Sequence, residues 1–270
     1  MIRKPFQWSS SGRSHVGMVR AINEDACLVF PEIGLWAVAD GMGGHEAGNV
    51  ASQMVVEALQ HITPPQDWQT FLEEVKTRLY EVNTNLREES ARRYQNRTIG
   101  STVVVLVAYG SQCACLWAGD SRIYRLRDGE LQQLTRDHSH VQELVDQGLI
   151  ASEEACKHPL ANVITRAVGS SDDLQIDEMV YPLQSGDMFL LCSDGLNKAV
   201  SDAEVAHLLA DSSHNCQEAV NAFIHLALMR DVNDNVTTVV VDFSELQPSS
   251  AGQSETTVAN NAIPPDWYID

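Results

Sequence analysis

Four aspartates stand at the ends of apolar, strand-like runs. Asp40 follows residues 35–39, Asp120 follows 113–118, Asp194 follows 188–192, and Asp234 just precedes 236–241. A carboxylate at the mouth of a buried strand is held rigidly with its head free, and several converging from different strands suit the gripping of hard divalent cations. Asp-Gly and Asp-Asn are also ordinary turn dipeptides, so position carries the argument. Beside a wholly apolar run a buried charge is costly unless an ion partners it.

Other residues extend this chemistry. In Val38-Ala-Asp-Gly-Met-Gly-Gly-His45 the glycines free the backbone, so that the Gly41 carbonyl can turn toward the same ion as Asp40. A plain strand-to-helix turn with an exposed His45 is the alternative. Glu24 and Asp25 are adjacent, and side chains of neighbouring extended residues diverge. Both therefore cannot contact one ion, and one or both would hold its water. Arg20 is suited either to a phosphate, as a bidentate fork, or to a salt bridge with Glu24 or Asp25. Asp120 either joins a further ion or caps a strand turn. Thr135, Asp137 and His138 read as structural, with Asp137 or Ser139 capping a helix. An oxygen-rich donor set points to magnesium or manganese over zinc.

These residues need rigid elements. Apolar positions over 46–62 and 68–86 recur at helical spacing, as they do over 216–228. Strand runs fall at 102–108 and 113–118, at a hairpin closed by Asp128-Gly129, and at 174–181, 188–192 and 236–243. Hairpin-linked strands with helices arriving in pairs argue for an α+β fold: two stacked antiparallel β-sheets flanked by α-helices, a four-layer α-β-β-α sandwich. Antiparallel pairing sets strand starts beside strand ends, so Asp234 can meet Asp40 and Asp194. The catalytic domain is expected over 8–244, with a mobile helical excursion at about 140–162. Residues 245–270, rich in Ser, Pro and Asn, read as a flexible tail.

Composition narrows the class. At 270 residues and 44% hydrophobic, the chain can bury one large core. The 18 basic against 37 acidic residues give a formal charge of −19 with no basic block, which excludes nucleic acid and an acidic membrane surface. No apolar run approaches the roughly 18 residues of a membrane helix. None of the six cysteines forms a CxxC pair, and Cys113 and Cys115 read as core residues, so a cytoplasmic setting is expected. No dimer face is legible, and a monomer is expected. There is no GxSxG elbow, no GxxxxGK[ST] loop, no HExxH and no CxxxxxR loop.

In order along the chain stand Arg20-Ala-Ile-Asn-Glu-Asp-Ala26, Val38-Ala-Asp-Gly-Met-Gly-Gly-His45, Gly100-Ser-Thr102, Ala118-Gly-Asp-Ser-Arg122, Leu134-Thr-Arg-Asp-His-Ser139, Ile164-Thr-Arg-Ala-Val-Gly169, Cys192-Ser-Asp-Gly195 and Asp234-Asn-Val-Thr237. The set resembles bacterial members of the metal-dependent serine/threonine phosphatases, the type 2C family, over residues of about 12 to 243. The resemblance implies that Asp40, the Gly41 carbonyl, Asp194 and Asp234 hold two magnesium or manganese ions, with Glu24 and Asp25 acting through bound water. It makes Asp120, with Asp194, a third and weaker metal site, Arg20 the phosphate-binding arginine and His45 the general acid. Residues 140–162 fall where the family carries its flap. A hydroxide generated between two ions would attack phosphorus in line, with no protein nucleophile.

The implied partners are phosphorylated proteins, opposite a serine/threonine kinase of the same cell. Ser14-His-Val-Gly-Met-Val-Arg20 and Trp36-Ala-Val-Ala-Asp-Gly-Met-Gly-Gly-His-Glu-Ala-Gly48 are similar to phosphatases associated with type VI secretion, whose kinase typically targets a forkhead-associated-domain protein. Two alternatives stay open: a catalytically silent phosphoprotein-binding module, and a phosphatase of a small phosphate ester.

Overall fold

In a computed structural model, which describes residues 6–44, 47–93, 98–155 and 157–245, the apolar runs pair into two antiparallel sheets. The strands are β1 (Phe6–His15), β2 (Asp25–Phe30), β3 (Leu35–Met42), β4 (Gly100–Ser101), β5 (Val103–Tyr109), β6 (Gln112–Ala118), β7 (Arg122–Arg127), β8 (Glu130–Gln133), β9 (Asp177–Pro182), β10 (Met188–Cys192) and β11 (Val236–Glu245). One sheet runs β1-β11-β10-β7-β8; the other runs β2-β3-β5-β6-β9, with β4 paired to β3. The helices are α1 (Ala47–Gln60), α2 (Trp68–Arg93), α3 (His140–Asp146), α4 (Ser152–Ala155), α5 (Asp194–Ala199), α6 (Asp202–Asp211) and α7 (Cys216–Met229).

Strand β5 shows why its sequence lacks alternation. Val103, Val105 and Val107 face α1 and α2, together with Leu35, Ala37 and Ala39 of β3. Val104, Leu106 and Ala108 face the other sheet, against Phe189, Leu191, Val239 and Val241. A strand buried on both faces reads as a continuous apolar run. On the far side, Leu190, Cys192 and Val240 pack under Leu196, Val205, Leu209 and Phe223 of α5–α7. Three apolar layers thus separate four layers of structure, as the expected sandwich requires. Cys113 and Cys115 both lie in the layer between the sheets.

Some boundaries differ from the sequence expectation. Helix α2 continues to Arg93, because Glu88–Arg92 and Glu89–Arg93 ion pairs at i,i+4 carry a segment with no apolar periodicity. Strand β9 starts at Asp177. Leu174 instead packs in the α1–α2 core, after a connection that Asn83 holds by accepting from Gly169 N (2.6 Å) and donating to Ser171 O (3.0 Å). Two unanticipated helices follow β10. α5 starts at Asp194 itself, and α6 starts behind Ser201, whose N–H donates to the Glu204 carboxylate (3.0 Å) in a capping box. Asp128 and Gly129 close the β7–β8 hairpin at φ 51° and 82°, as expected for that dipeptide. Residues 140–162 contain α3 and α4, pinned at the base by a bridge between Ser139 and Ile164. The tail from residue 246 lies outside the described residues, among which no helix is long and apolar enough to cross a membrane.

Phe243 locks the layer between the sheets, meeting Trp8, Trp36 and Phe189 edge-on at ring separations of 5.8, 5.9 and 5.4 Å. Phe243→Ala should cost about 3–5 kcal/mol in urea unfolding, whereas Met179→Ala on the exposed face of β9 should stay within about 0.5 kcal/mol.

Candidate metal centre

Antiparallel pairing brings the acidic residues to one end of the sandwich. Asp25 opens β2 directly opposite Asp40 on β3. Asp234 stands at the approach to β11, and Asp194 follows β10, the strand beside it. Asp120 ends the turn after β6. The sequence expectation that these residues meet is realised in the fields they exert on one another. Burial drives the Asp40 carboxyl well above the ordinary carboxylate range, and the charges of Asp25, Asp194, Asp120 and Asp234 add to it. Asp25 is pushed up to about 7, first by burial and then by Asp194 and Asp234, against opposing hydrogen bonds. Asp120 also reaches about 7, through burial and the charges of Asp194 and Asp137.

A hydroxyl and amide framework holds this set. Ser193 Oγ and Thr237 Oγ1 both donate to Asp25 Oδ2 at 2.7 Å, which orders the buried carboxylate between the two sheets. Thr102 N–H donates to Asp40 O (2.8 Å), and Thr102 Oγ1 accepts from Asp40 N–H (3.1 Å) while touching Ser121 Oγ (2.7 Å) beside Asp120. Asn235 Oδ1 accepts from Glu24 N–H (2.8 Å), and its Nδ2 donates to Val16 O and Ile22 O (2.9 and 3.0 Å). One amide therefore staples the loop carrying Arg20 and Glu24 to the start of β11.

Glu24 and Asp25 do diverge. Asp25 points between the sheets, and Glu24 reaches toward α1, where a Cβ on Gly48 would stand 2.3 Å from Glu24 Oε1 and 2.8 Å from Gly41 O. Only a glycine leaves that gap, and it collects a carboxylate oxygen and a main-chain carbonyl in one place. Arg20 is ion-paired with Asp234, Nη2 to Oδ2 at 3.0 Å, rather than with Glu24 or Asp25, and half its side chain remains exposed. His45 lies outside the described residues.

The loop bearing Asp120 is bolted down by the residues read as structural. Arg122 forks onto Asp137 (2.9 and 2.8 Å), Thr135 Oγ1 accepts from Ile123 N–H (3.0 Å), and Ser139 caps α3. His138 Nδ1 accepts from Gly119 N–H (3.2 Å), which leaves Nε2 facing Asp177 (3.2 Å).

The donor set fits hard divalent ions. Every donor is oxygen, and Asp194 Oδ1 is buried without a hydrogen-bond partner among the described residues. Among those residues no group of three or more acidic, histidine or cysteine side chains stands close enough to hold an ion by itself. Sequence reasoning missed the supporting Ser193, Thr237, Thr102 and Asn235, although all four lie within the motifs and Ser193 and Asn235 directly adjoin an aspartate. It also missed Lys198, on α5 one turn beyond Asp194, whose amine bonds the Asp194 carboxylate.

Comparisons with known proteins agree with this geometry. A family model described as Protein phosphatase 2C matches residues 11–230. The chain is 37% identical over 247 residues to the serine/threonine protein phosphatase PstP of Mycobacterium tuberculosis, covering 90% of this chain but spanning only 47% of that relative's length. The solved catalytic domain of PstP in complex with 2 manganese ions superposes with a TM-score of 0.80 at 35% identity, covering 89% of this chain and all of that one (100%). PppA of Pseudomonas aeruginosa, described as a key regulatory component of its type VI secretion system, superposes with a TM-score of 0.81 at 46% identity over 87% of this chain and 97% of its own.

The raised carboxyls set a pH dependence. Asp25, Asp40 and Asp120 keep protons in the folded protein above pH values at which the unfolded chain has released them. In metal-free protein the contributions of Asp25 and Asp120 are therefore full below the ordinary carboxylate pKa and are lost as pH rises through about 7, and that of Asp40 is lost in the same direction. Differential scanning calorimetry in chelator should show Tm falling from about pH 5 to about pH 7.5, and Mn2+ should raise Tm more at the higher pH.

Proposed function

The chain belongs to the protein phosphatase 2C family, and from that membership we propose that it hydrolyses phosphoserine and phosphothreonine in proteins, using magnesium or manganese. The observation that carries this reading is the convergence of Asp40, Asp194 and Asp234 at one end of the sandwich, with Asp25 behind them and, among the described residues, Arg20 and Lys198 as the cations paired with them. Asp40, the Gly41 carbonyl, Asp194 and Asp234 would hold two ions, Glu24 and Asp25 would order the surrounding water, and Asp120 with Asp194 would frame a third, weaker position. When bound, such ions supply an acidified water for attack on phosphorus and offset the charge of the phosphoryl oxygens.

The protein's own residues do the rest. Arg20, held from one side by Asp234 and open to solvent on the other, offers its remaining N–H groups to the phosphoryl oxygens. His45 protonates the departing seryl or threonyl oxygen. Neither Cys113 nor Cys192 serves as a nucleophile: burial pushes both thiols up to about 12, so they stay protonated at neutral pH. Residues 140–162 form a flap beside the site that selects the phosphoprotein.

The likeness to PppA supports a place in the control of type VI secretion; a serine/threonine kinase as the opposing enzyme and a forkhead-associated-domain protein as the substrate rest on the sequence motifs alone. The protein works as a cytoplasmic monomer in this reading.

Phosphate release from a phosphothreonine peptide tests it. Turnover should require Mn2+ and fall about 10²–10³-fold in Asp194→Ala. A wild type that binds Mn2+ and releases nothing would move the silent binding module to the front. His45→Gln should lower kcat on the same peptide by about 10²-fold or more, yet barely change hydrolysis of p-nitrophenyl phosphate, whose leaving group needs no proton.

A further inference from the structure

Lys198 is the side chain at the centre for which the proposed chemistry has no use. It projects from α5 one turn after Asp194, so that both lie on one helical face. Its Nζ donates to Asp194 Oδ2 and, at 2.8 Å, to Asn162 Oδ1. Asn162 belongs to the 140–162 segment, just before the bridge that pins that segment's base. The amine's charge also acts on Asp120 and Asp234, and reciprocally on the Asp120 carboxyl, where it opposes the effect of burial. One ammonium group thus sits where Asp194, Asp120 and the end of the segment come together. That is where the proposed reading sets its third, weaker cation.

We infer that the Lys198 ammonium is a built-in cation in the Asp120–Asp194 position, replacing a third divalent ion and latching the flap through Asn162. The inference rests on the proposed metal-dependent reading. An ammonium is a compact point charge with three donors, able to bind a carboxylate and an amide oxygen at once. It is covalently tethered through a helix, so its effective concentration at Asp194 exceeds that of a weakly held free ion. It serves Asp194 Oδ2 and leaves Oδ1 of the same carboxylate, buried without a partner among the described residues, for another cation. Two consequences follow. Flap attachment becomes independent of metal concentration, and the chain holds one divalent ion fewer than its acidic residues would accommodate.

The test compares wild type with Lys198→Met, which keeps the length of the stem and removes the charge, and with Lys198→Arg, which keeps the charge. Mn2+ binding to the full chain is followed by calorimetric titration, and cleavage within 140–162 by limited proteolysis in chelator. Lys198→Met should gain one weak Mn2+ site over wild type. Without metal its flap should be cut about tenfold faster, with protection restored by Mn2+. Lys198→Arg should stay close to wild type in both measurements, and a Tm in chelator within a few degrees of wild type shows that each variant is folded. Equal Mn2+ stoichiometry in wild type and Lys198→Met would overturn the inference, as would equal flap cleavage. Failure of the phosphatase reading looks different: wild type then releases no phosphate with Mn2+, whatever the stoichiometry of Lys198→Met.

Discussion

Mutual repulsion among buried carboxylates is the constraint around which this fold is arranged. Asp25 and Asp40 face each other across one pair of strands, and Asp194, Asp120 and Asp234 close in from the second sheet and the turn after β6. Carboxylates this close, and this far from bulk water, cannot all stay ionised unless positive charge lies among them. The apolar layers therefore have a second task besides stability. The rings of Trp36, Phe189 and Phe243 hold the sheets in one relative position, which keeps the acidic residues together against their own repulsion.

The polar framework decides which carboxylate does what. Asp25 accepts from two hydroxyls through a single oxygen, so it is positioned and partly neutralised by the protein itself. Asp194 keeps one buried oxygen without a hydrogen-bond partner among the described residues. Hydrogen bonding thus divides chemically identical side chains into supports and ligand-ready groups, and on the proposed reading that division separates water-ordering acids from metal-binding ones. Asn235 makes the same point for the backbone. Its one amide fixes the loop of residues 16–24 against β11, so Arg20 and Asp234 keep a constant relation although the loop itself is exposed.

Much of this was legible in the residues. The two-sided burial of β5 follows from Val103-Val-Val-Leu-Val, which has no polar face to offer solvent, and the meeting of Asp40, Asp194 and Asp234 follows from antiparallel pairing. The Asp128-Gly129 turn carried its own stereochemistry. What escaped depended on tertiary context. The polar end of α2 has no periodicity and survives on ion pairs. α5 is short and begins at a residue that reads equally well as a turn, so the i,i+4 relation between Asp194 and Lys198 had no helix on which to be seen. The hydroxyls of Ser193 and Thr237 look like ordinary strand-end residues until both sheets are in place and Asp25 is found between them.

The two cations at the centre show why the arrangement is asymmetric. Arg20 approaches from the solvent side and touches Asp234, with half of its side chain exposed; Lys198 approaches from α5 and binds Asp194 beneath Asn162. A protein with a formal charge of −19 repels a phosphate dianion unless positive charge is concentrated where the phosphate must land. An exposed guanidinium can exchange its carboxylate contact for a phosphoryl oxygen, because its planar fork has donors to spare and little desolvation to undergo. A half-buried ammonium already shared between a carboxylate and an amide has no such freedom, and what it holds is protein. By position alone, Arg20 is suited to substrate and Lys198 to the architecture that admits it.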